Sequence, residues 1–273
     1  MSPATRQPTA QYEADGFQLR EIRYPAALRQ ARHHHERTTA TLVFGGSLEE
    51  TVGSKREEAG PLSVVFKPAG TEHANRMGTD GATTLQLGLN ENFFVDPGEV
   101  PAESEWAWSR GGAPARRFLA LYAGWRSGEE SGAVLESRVL DLLAALRGRP
   151  VMRSGAPAWL SCVVEEVEDT FRSPRRVRDM AADASVHPVA LARAHRRHFG
   201  CSISDRIRRR RVEAAADLLG RGIPPAEVAY RTGFSDQSHL TRVFGAETGL
   251  TPGRYRRLRA DGDGPVRPWR HGD

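Results

Sequence analysis

GFSDQSHLTRVFGAETGLTPGRYRR, residues 233–257, decides the fold of the C-terminal half. Gly233-Phe234 reads as a turn, and Ser235 or Asp236 as the cap of a helix. That helix buries Leu240, Val243 and Phe244 at helical spacing. Its outward N-terminal positions carry Gln237, His239 and Arg242, side chains suited to base edges: Gln for adenine, Arg for guanine, His as a donor. The preceding IPPAEVAYRTG (223–233) is a supporting helix with Val228 and Ala229 turned inward.

The same theme stands earlier in the chain. VRDMAADA (177–184) is a short helix burying Val177, Met180 and Ala181, and after a turn His187-Pro188 opens a second helix, where proline suits the first turn. This helix runs through LARAHRRHF to Gly200, a natural stop, with Arg193, Arg196 and Arg197 on its outer face. A short helix, a tight turn and a second helix with a basic outer face is the arrangement that fits a major groove. Ahead of it, Leu160, Val163, Val164, Val167 and Phe171 form one helical stripe that Ser173-Pro174 ends. Between the two units a long helix, about 204–219, offers Ile207, Val212, Ala215, Leu218 and Leu219 to both cores. The run Arg208-Arg209-Arg210-Arg211 winds around it, so only one or two of its members point at DNA. The others pair with Glu213 or Asp205, or meet phosphates without reading sequence.

At LARAHRRHFGCSISDRIRRRRVEAAADLL (191–219) and AEVAYRTGFSDQSHLTRVFGAETGLTPGRYRR (226–257) the chain resembles the AraC/XylS family of transcription regulators, over about 158–259. The resemblance implies two recognition helices entering successive major grooves, with Ala192 and Arg193 facing bases in the first unit and Gln237, Ser238, His239 and Arg242 in the second. It implies promoter DNA and RNA polymerase as partners, and activation rather than repression. Ala192 takes a slot that often holds a polar reader, so the first unit leans on Arg193 and on anchoring contacts.

Composition agrees. Residues 158–260 hold 19 Arg against 12 Asp/Glu, whereas residues 1–157 hold 18 Lys/Arg against 19 Asp/Glu. A near-neutral half joined to a basic half suits a sensor fused to a nucleic-acid reader. Cys162 and Cys201 are too few for a disulfide framework or a thiolate metal site. No apolar run is long enough to span a bilayer, and the N-terminus lacks a signal core, which predicts a cytoplasmic protein.

The N-terminal half reads differently. Residues 1–14 form a loose leader. FQLREIRY (17–24), TATLVFGGSLEETVG (39–53), LSVVFKPAG (62–70) and ATTLQLGLN (82–90) are short strands broken by turns, which predicts an antiparallel sandwich or barrel. Helices follow at 115–126 and 133–147, the second suited to pairing two chains as a homodimer or to packing on its own barrel. The expected division is a leader (1–14), an all-β regulatory domain (15–100), a helical segment (101–150), a linker (151–157) in GRPVMRSGAP, an all-α double helix-turn-helix domain (158–260) and a tail (261–273).

Arg32-His33-His34-His35-Glu36 places His33 and His35 on one side of a strand, and His73 follows in KPAGTEHANR. This spacing resembles the cupin barrel, in which three histidines and a glutamate hold a divalent metal. The expected glutamate is absent: Thr39 and Ala40 stand where it belongs, and Glu36 and Glu72 sit on the wrong side of their strands. The histidines therefore read first as residues of a small-molecule pocket, with no cofactor assigned and a divalent metal as the alternative. Alternate strand residues Leu42, Phe44, Val64 and Phe66 would line that pocket, and Trp106 and Trp108 would cover it or join a core. The function expected is a non-enzymatic regulator controlled by a small ligand or dimerisation. The alternative is a metal-dependent cupin enzyme with an accessory DNA-binding domain.

Overall fold

A computed structural model describes residues 9–14, 16–90, 93, 106–147 and 156–261. Most of the expected leader, the linker residues 151–155 and the tail beyond Asp261 lie outside them. Eight strands come first: β1 (Ala10–Glu13), β2 (Phe17–Tyr24), β3 (Arg29–His33), β4 (Thr38–Val52), β5 (Lys55–Ala59), β6 (Ser63–Lys67), β7 (His73–Leu89) and β8 (Ala107–Arg110). Nine helices follow among the described residues: α1 (Gly112–Ser127), α2 (Gly132–Arg147), α3 (Ala158–Thr170), α4 (Val177–Asp183), α5 (Pro188–Phe199), α6 (Ile203–Gly220), α7 (Pro225–Thr232), α8 (Gln237–Thr248) and α9 (Pro252–Asp261). Two boundaries differ from expectation. Residues 10–13 are a strand paired antiparallel with β2 rather than part of a loose leader. Residues 107–110 return to the sheet beside β6 before the helical segment begins.

The strands form one antiparallel sheet in the order β1-β2-β7-β4-β6-β8, with β3 on β7 and β5 on β4. The two longest strands pair along most of their length, and their register slips between Val43 and Gly45 and again between Gly46 and Leu48. Such bulges bend a sheet sharply. Gly46 and Gly81 make the bend possible: both have positive φ, and a Cβ on Gly46 would lie 2.1 Å from the Gly81 carbonyl oxygen. The sheet thus folds over itself and encloses Val43, Leu48, Ala59, Met77 and Ala82, with Tyr24, Leu28 and Trp108 packed against them.

Side chains alternate across this sheet. On β4, Thr39, Thr41 and Val43 face the enclosed interior beside Lys67 and Val65, their cross-strand partners, whereas Ala40, Leu42 and Phe44 face the other way. The expected pocket residues Leu42, Phe44, Val64 and Phe66 therefore lie on the outer face. There they form the base of a core covered by α1 and α2, through Phe118, Leu119, Tyr122, Leu135, Val139 and Leu142. A shift of one residue along a strand exchanges inside for outside, and the apolar alternation alone does not say which face is covered by helices.

Two cores serve the C-terminal helices. Leu160, Val163, Val167, Met180, Ala181, Leu191 and Ile203 enclose the first unit. The second unit, through Leu219, Val228, Phe234, Leu240, Phe244 and Tyr255, joins the core of the outer sheet face. Tyr255 is the centre of that junction: its hydroxyl donates to the Phe44 carbonyl at 3.0 Å, and its ring meets those of Phe44 and Phe244 edge-on, each at 5.3 Å. The Arg259 guanidinium lies 4.9 Å from the centre of the Phe44 ring, and Arg221 pairs with Asp80 at 2.8 Å.

Truncating this fully buried tyrosine, Tyr255→Ala, is expected to cost about 3–5 kcal/mol. Urea unfolding followed by far-UV circular dichroism checks it, and a loss below about 1 kcal/mol would show that the two regions do not share a core.

Candidate nucleic-acid interface and the histidine cluster

Each C-terminal unit is built to present one helix. In the second, α7 ends at Gly233, whose φ of +82° places a would-be Cβ 2.2 Å from the Arg172 carbonyl oxygen, a close approach that only glycine permits. Asp236 caps α8 by accepting from the His239 amide at 2.7 Å. That bond and the Ser235 hydroxyl hold the Asp236 carboxyl below the usual carboxylate range. The His239 ring is fixed at the turn, with Nδ1 3.1 Å from Ser235 Oγ and its plane edge-on to Phe234. Gln237, Ser238 and Arg242 are exposed, Ser238 and Arg242 on the side of α8 away from Leu240 and Phe244, and Gln237 in its first turn.

In the first unit, His187 caps α5 through Nδ1, which accepts from the Val189 amide at 3.2 Å, and Pro188 occupies the first turn. Leu191 and His195 anchor the inner face. His195 is structural: Nδ1 donates to the Cys201 carbonyl at 2.7 Å, and Nε2 accepts from Arg206 Nε at 3.1 Å. Ala192, Arg193, Arg196 and Arg197 stand on the exposed side. The two cysteines are unpaired.

The arginines divide sharply. Arg206 pairs with Glu168 at 3.1 Å, Arg208 with Glu247 at 2.8 Å and with Asp205, and Arg210 with Glu213 at 2.8 Å and with Glu168. Arg211 Nε donates to the Phe171 carbonyl at 2.9 Å, and Arg209 lies along Gly111-Gly112 ahead of α1. Arg208, Arg210 and Arg211 are thus engaged within the protein, while Arg209 is half-buried with no side-chain hydrogen bond or ion pair among the described residues, where one or two members of the run were expected to face DNA. Arg193, Arg196, Arg197 and Arg242 instead make no side-chain hydrogen bond or ion pair among the described residues. Position on a helix separates these classes only once the partners' faces are known.

The histidine cluster lies in the N-terminal domain, inside the folded sheet. His33, the last residue of β3, stands across from His73, the first of β7, and His35 joins them from beyond the strand end rather than from within it. Ring centres are 4.3 Å apart for His33–His73, 5.0 Å for His35–His73 and 5.2 Å for His33–His35. One ring nitrogen from each falls within 4.8 Å of the others. Both His33 and His73 donate through Nδ1 to backbone carbonyls, of Ala31 and Thr71, at 2.9 Å. Nδ1–H donors leave Nε2 as a lone-pair nitrogen, and that of His73 is buried with no partner. Burial, helped by the nearby Lys67 ammonium, pushes the pKa values of His35 and His73 down to about 3, so both are neutral near pH 7. Nδ1 held by a carbonyl and Nε2 free is the state in which imidazole ligates a metal, and the residues present fit a divalent ion.

Glu36 and Glu72 are exposed and take no part. The acidic neighbour is Glu50 of β4, fully buried, paired with Lys67, accepting from the Trp106 indole and 4.0 Å from His73 Nε2. The bulges before Leu48 shift the alternation of β4 and turn Glu50 inward, which a strict period of two does not anticipate. Phe44 and Phe66, expected in the same pocket, belong to the outer core.

A helix-turn-helix domain family matches residues 180–258. The HTH-type transcriptional regulator GlxA of Rhizobium meliloti is 35% identical over 126 residues, 45% of this chain and 39% of that protein. The HTH-type transcriptional activator RhaR of Cronobacter sakazakii is 25% identical over 182 residues, 63% of this chain and 64% of its own. The chain thus spans less than two thirds of the length of these curated relatives. A solved transcriptional regulator of Chromobacterium violaceum, described as AraC-type DNA-binding domain-containing, is similar over 40% of this chain and 97% of its own, at 23% identity and a TM-score of 0.37. No described helix is long and apolar enough to cross a membrane.

The cap of α6 provides a test of local structure. Ser202 and Asp205 bond reciprocally, and Ser202 and Arg208 hold the Asp205 carboxyl below its usual range. Ser202→Ala is expected to cost about 1 kcal/mol. A folded pKa below the unfolded value of 3.8 makes the Asp205 contribution complete above that value and lost as pH falls below it. The destabilisation caused by Asp205→Ala should therefore shrink below about pH 4, read from urea midpoints across a pH series.

Proposed function

From the premise that this chain carries an AraC/XylS-type helix-turn-helix domain, we propose that it is a transcription regulator that reads promoter DNA with α5 and α8. One observation carries the reading: Arg193, Arg196, Arg197 and Arg242, exposed on α5 and α8, make no internal side-chain bond among the described residues, whereas Arg206, Arg208, Arg210 and Arg211 of α6 are tied to carboxylates and carbonyls. An arginine free of internal partners is available to phosphates and guanine edges. Ala192 and Arg193 face bases in the first unit, with Arg196 and Arg197 on the backbone. Gln237, Ser238, His239 and Arg242 read the second half-site. Two helices in one chain address sites about 34 Å apart, one turn of DNA, without requiring a dimer. Discrimination is weighted toward the second unit, where the readable groups are polar.

The N-terminal domain controls this reader, through a small ligand held at the histidine cluster or through dimerisation. The exposed Val134 and Leu140 of α2 suit pairing of two chains. The shared core around Tyr255 gives a signal in the sheet a direct path to the second unit. Output is activation through contact with RNA polymerase. The named relatives are transcription regulators, and no reaction is assigned to the chain.

Selection of bound duplexes from a random pool tests the reading. Arg193→Ala and Gln237→Ala should each erase preference in a separate block, the blocks about one turn apart, at about 1–3 kcal/mol per lost base contact. Arg196→Ala should weaken all sequences alike and lower the salt slope by about one. Arg208→Ala should leave preference intact. Unchanged preference in both Arg193→Ala and Gln237→Ala would reject the assigned readers.

A further inference from the structure

Glu50 and Lys67 form a buried ion pair against the histidine cluster, and the mechanism of DNA reading does not use them. The Glu50 oxygen that holds Lys67 is the same Oε1 that faces His73 Nε2 at 4.0 Å. The second oxygen is occupied by the Trp106 indole, and the Asn75 side-chain amide can donate to Oε1 at 3.2 Å. Oε1 is therefore the coordinating atom aimed at the three imidazoles, with an ammonium in the way.

The cupin resemblance implies a divalent metal at His33, His35 and His73; we propose that in this chain Glu50 is its exchangeable carboxylate ligand and Lys67 the internal cation that the metal displaces. Imidazole-rich sites with one carboxylate suit Zn²⁺, Fe²⁺, Co²⁺ or Ni²⁺. With metal–ligand bonds of about 2.0–2.2 Å, two ligand atoms at a tetrahedral or cis-octahedral angle stand about 3–3.5 Å apart, so Glu50 Oε1, 4.0 Å from His73 Nε2, has less than about 1 Å to move. Two cations cannot share one buried carboxylate oxygen without strong repulsion, so metal entry must release Lys67 from Oε1. An acceptor stands ready: Thr39 lies directly across from Lys67 on the same inner face, and its hydroxyl is buried without a partner. With Lys67 on Oε1 the site carries a resident cation, which lowers its metal affinity and makes occupancy responsive to metal concentration. The glutamate comes from the far half of β4 and not from the positions after His35, where Thr39 and Ala40 stand.

Titration of the full chain with Co²⁺, followed by its visible d–d absorption, tests this directly. Wild type should bind one ion per chain. His73→Ala should weaken binding by about a hundredfold, at least what loss of an outer ligand partner costs. Glu50→Gln should also weaken it, whereas Lys67→Gln should tighten it by about tenfold by removing the competing charge. The gain in Lys67→Gln is an effect that mere structural damage cannot produce. Absence of stoichiometric Co²⁺ in both wild type and Lys67→Gln, with circular dichroism intact, overturns the site. Undiminished binding in His73→Ala overturns it too, and unchanged or weaker binding in Lys67→Gln overturns the exchange. None of these results bears on DNA selection, so the two readings stand or fall separately.

Discussion

The contact of Tyr255 with Phe44 is the constraint on which the rest of the architecture depends. Phe44 lies on the outer face of the sheet, and its ring meets Tyr122 of α1 at 5.1 Å as well as Tyr255 of α9 at 5.3 Å. One aromatic side chain thus joins the β-domain, its covering helices and the second helix-turn-helix unit in a single apolar core. Edge-to-face pairs add about 0.5–1.5 kcal/mol each beyond buried area, and the hydrogen bond from the Tyr255 hydroxyl to the Phe44 carbonyl fixes their angle. The first unit has its own core and meets the second through α6 and through the close approach of Arg172 to Gly233. The two units of the reader are consequently unequal partners of the N-terminal domain.

That inequality gives the sheet two separate tasks. Its outer face is apolar and holds helices, while its inner face encloses a small apolar cluster together with the histidines, Glu50 and Lys67. The bend at Gly46 and Gly81 makes both possible from the same strands. Without the bulges, β4 would run straight, Glu50 would lie on the other face, and Lys67 would be a buried unpaired ammonium. A buried charge with neither a counter-charge nor a hydrogen-bond acceptor is costly, so bend, carboxylate and lysine form one interdependent unit.

Charge in the C-terminal half is distributed by the same logic. Nineteen arginines give the region its basic character, yet three of the four consecutive ones on α6 are bonded internally and tie that helix to α3 and to α8, while Arg209 packs beside Gly111-Gly112. Arginines without an internal side-chain bond among the described residues stand on α5 (Arg193, Arg196, Arg197), on α8 (Arg242) and also on α9 (Arg254, Arg256, Arg257). Basic composition predicts nucleic-acid binding in general, and the pairing pattern says which groups remain to perform it.

Much was legible from order and spacing alone. The two helix-turn-helix units, the cap at Asp236, the first-turn Pro188, the stop at Gly200 and the exposure of Ala192, Arg193, Gln237, Ser238 and Arg242 follow from local periodicity and capping chemistry, which act within a few residues. The antiparallel sheet and the convergence of His33, His35 and His73 were also within reach, because strand spacing and two turns suffice to place them. Strand β1, the inward turn of Glu50, its pairing with Lys67 and the outward placement of Phe44 and Phe66 were not. Each depends on which residues lie opposite in a bent sheet, a matter of register and bulges between segments distant in the chain. Helices carry their pattern within themselves, and a sheet acquires its faces only from its partners.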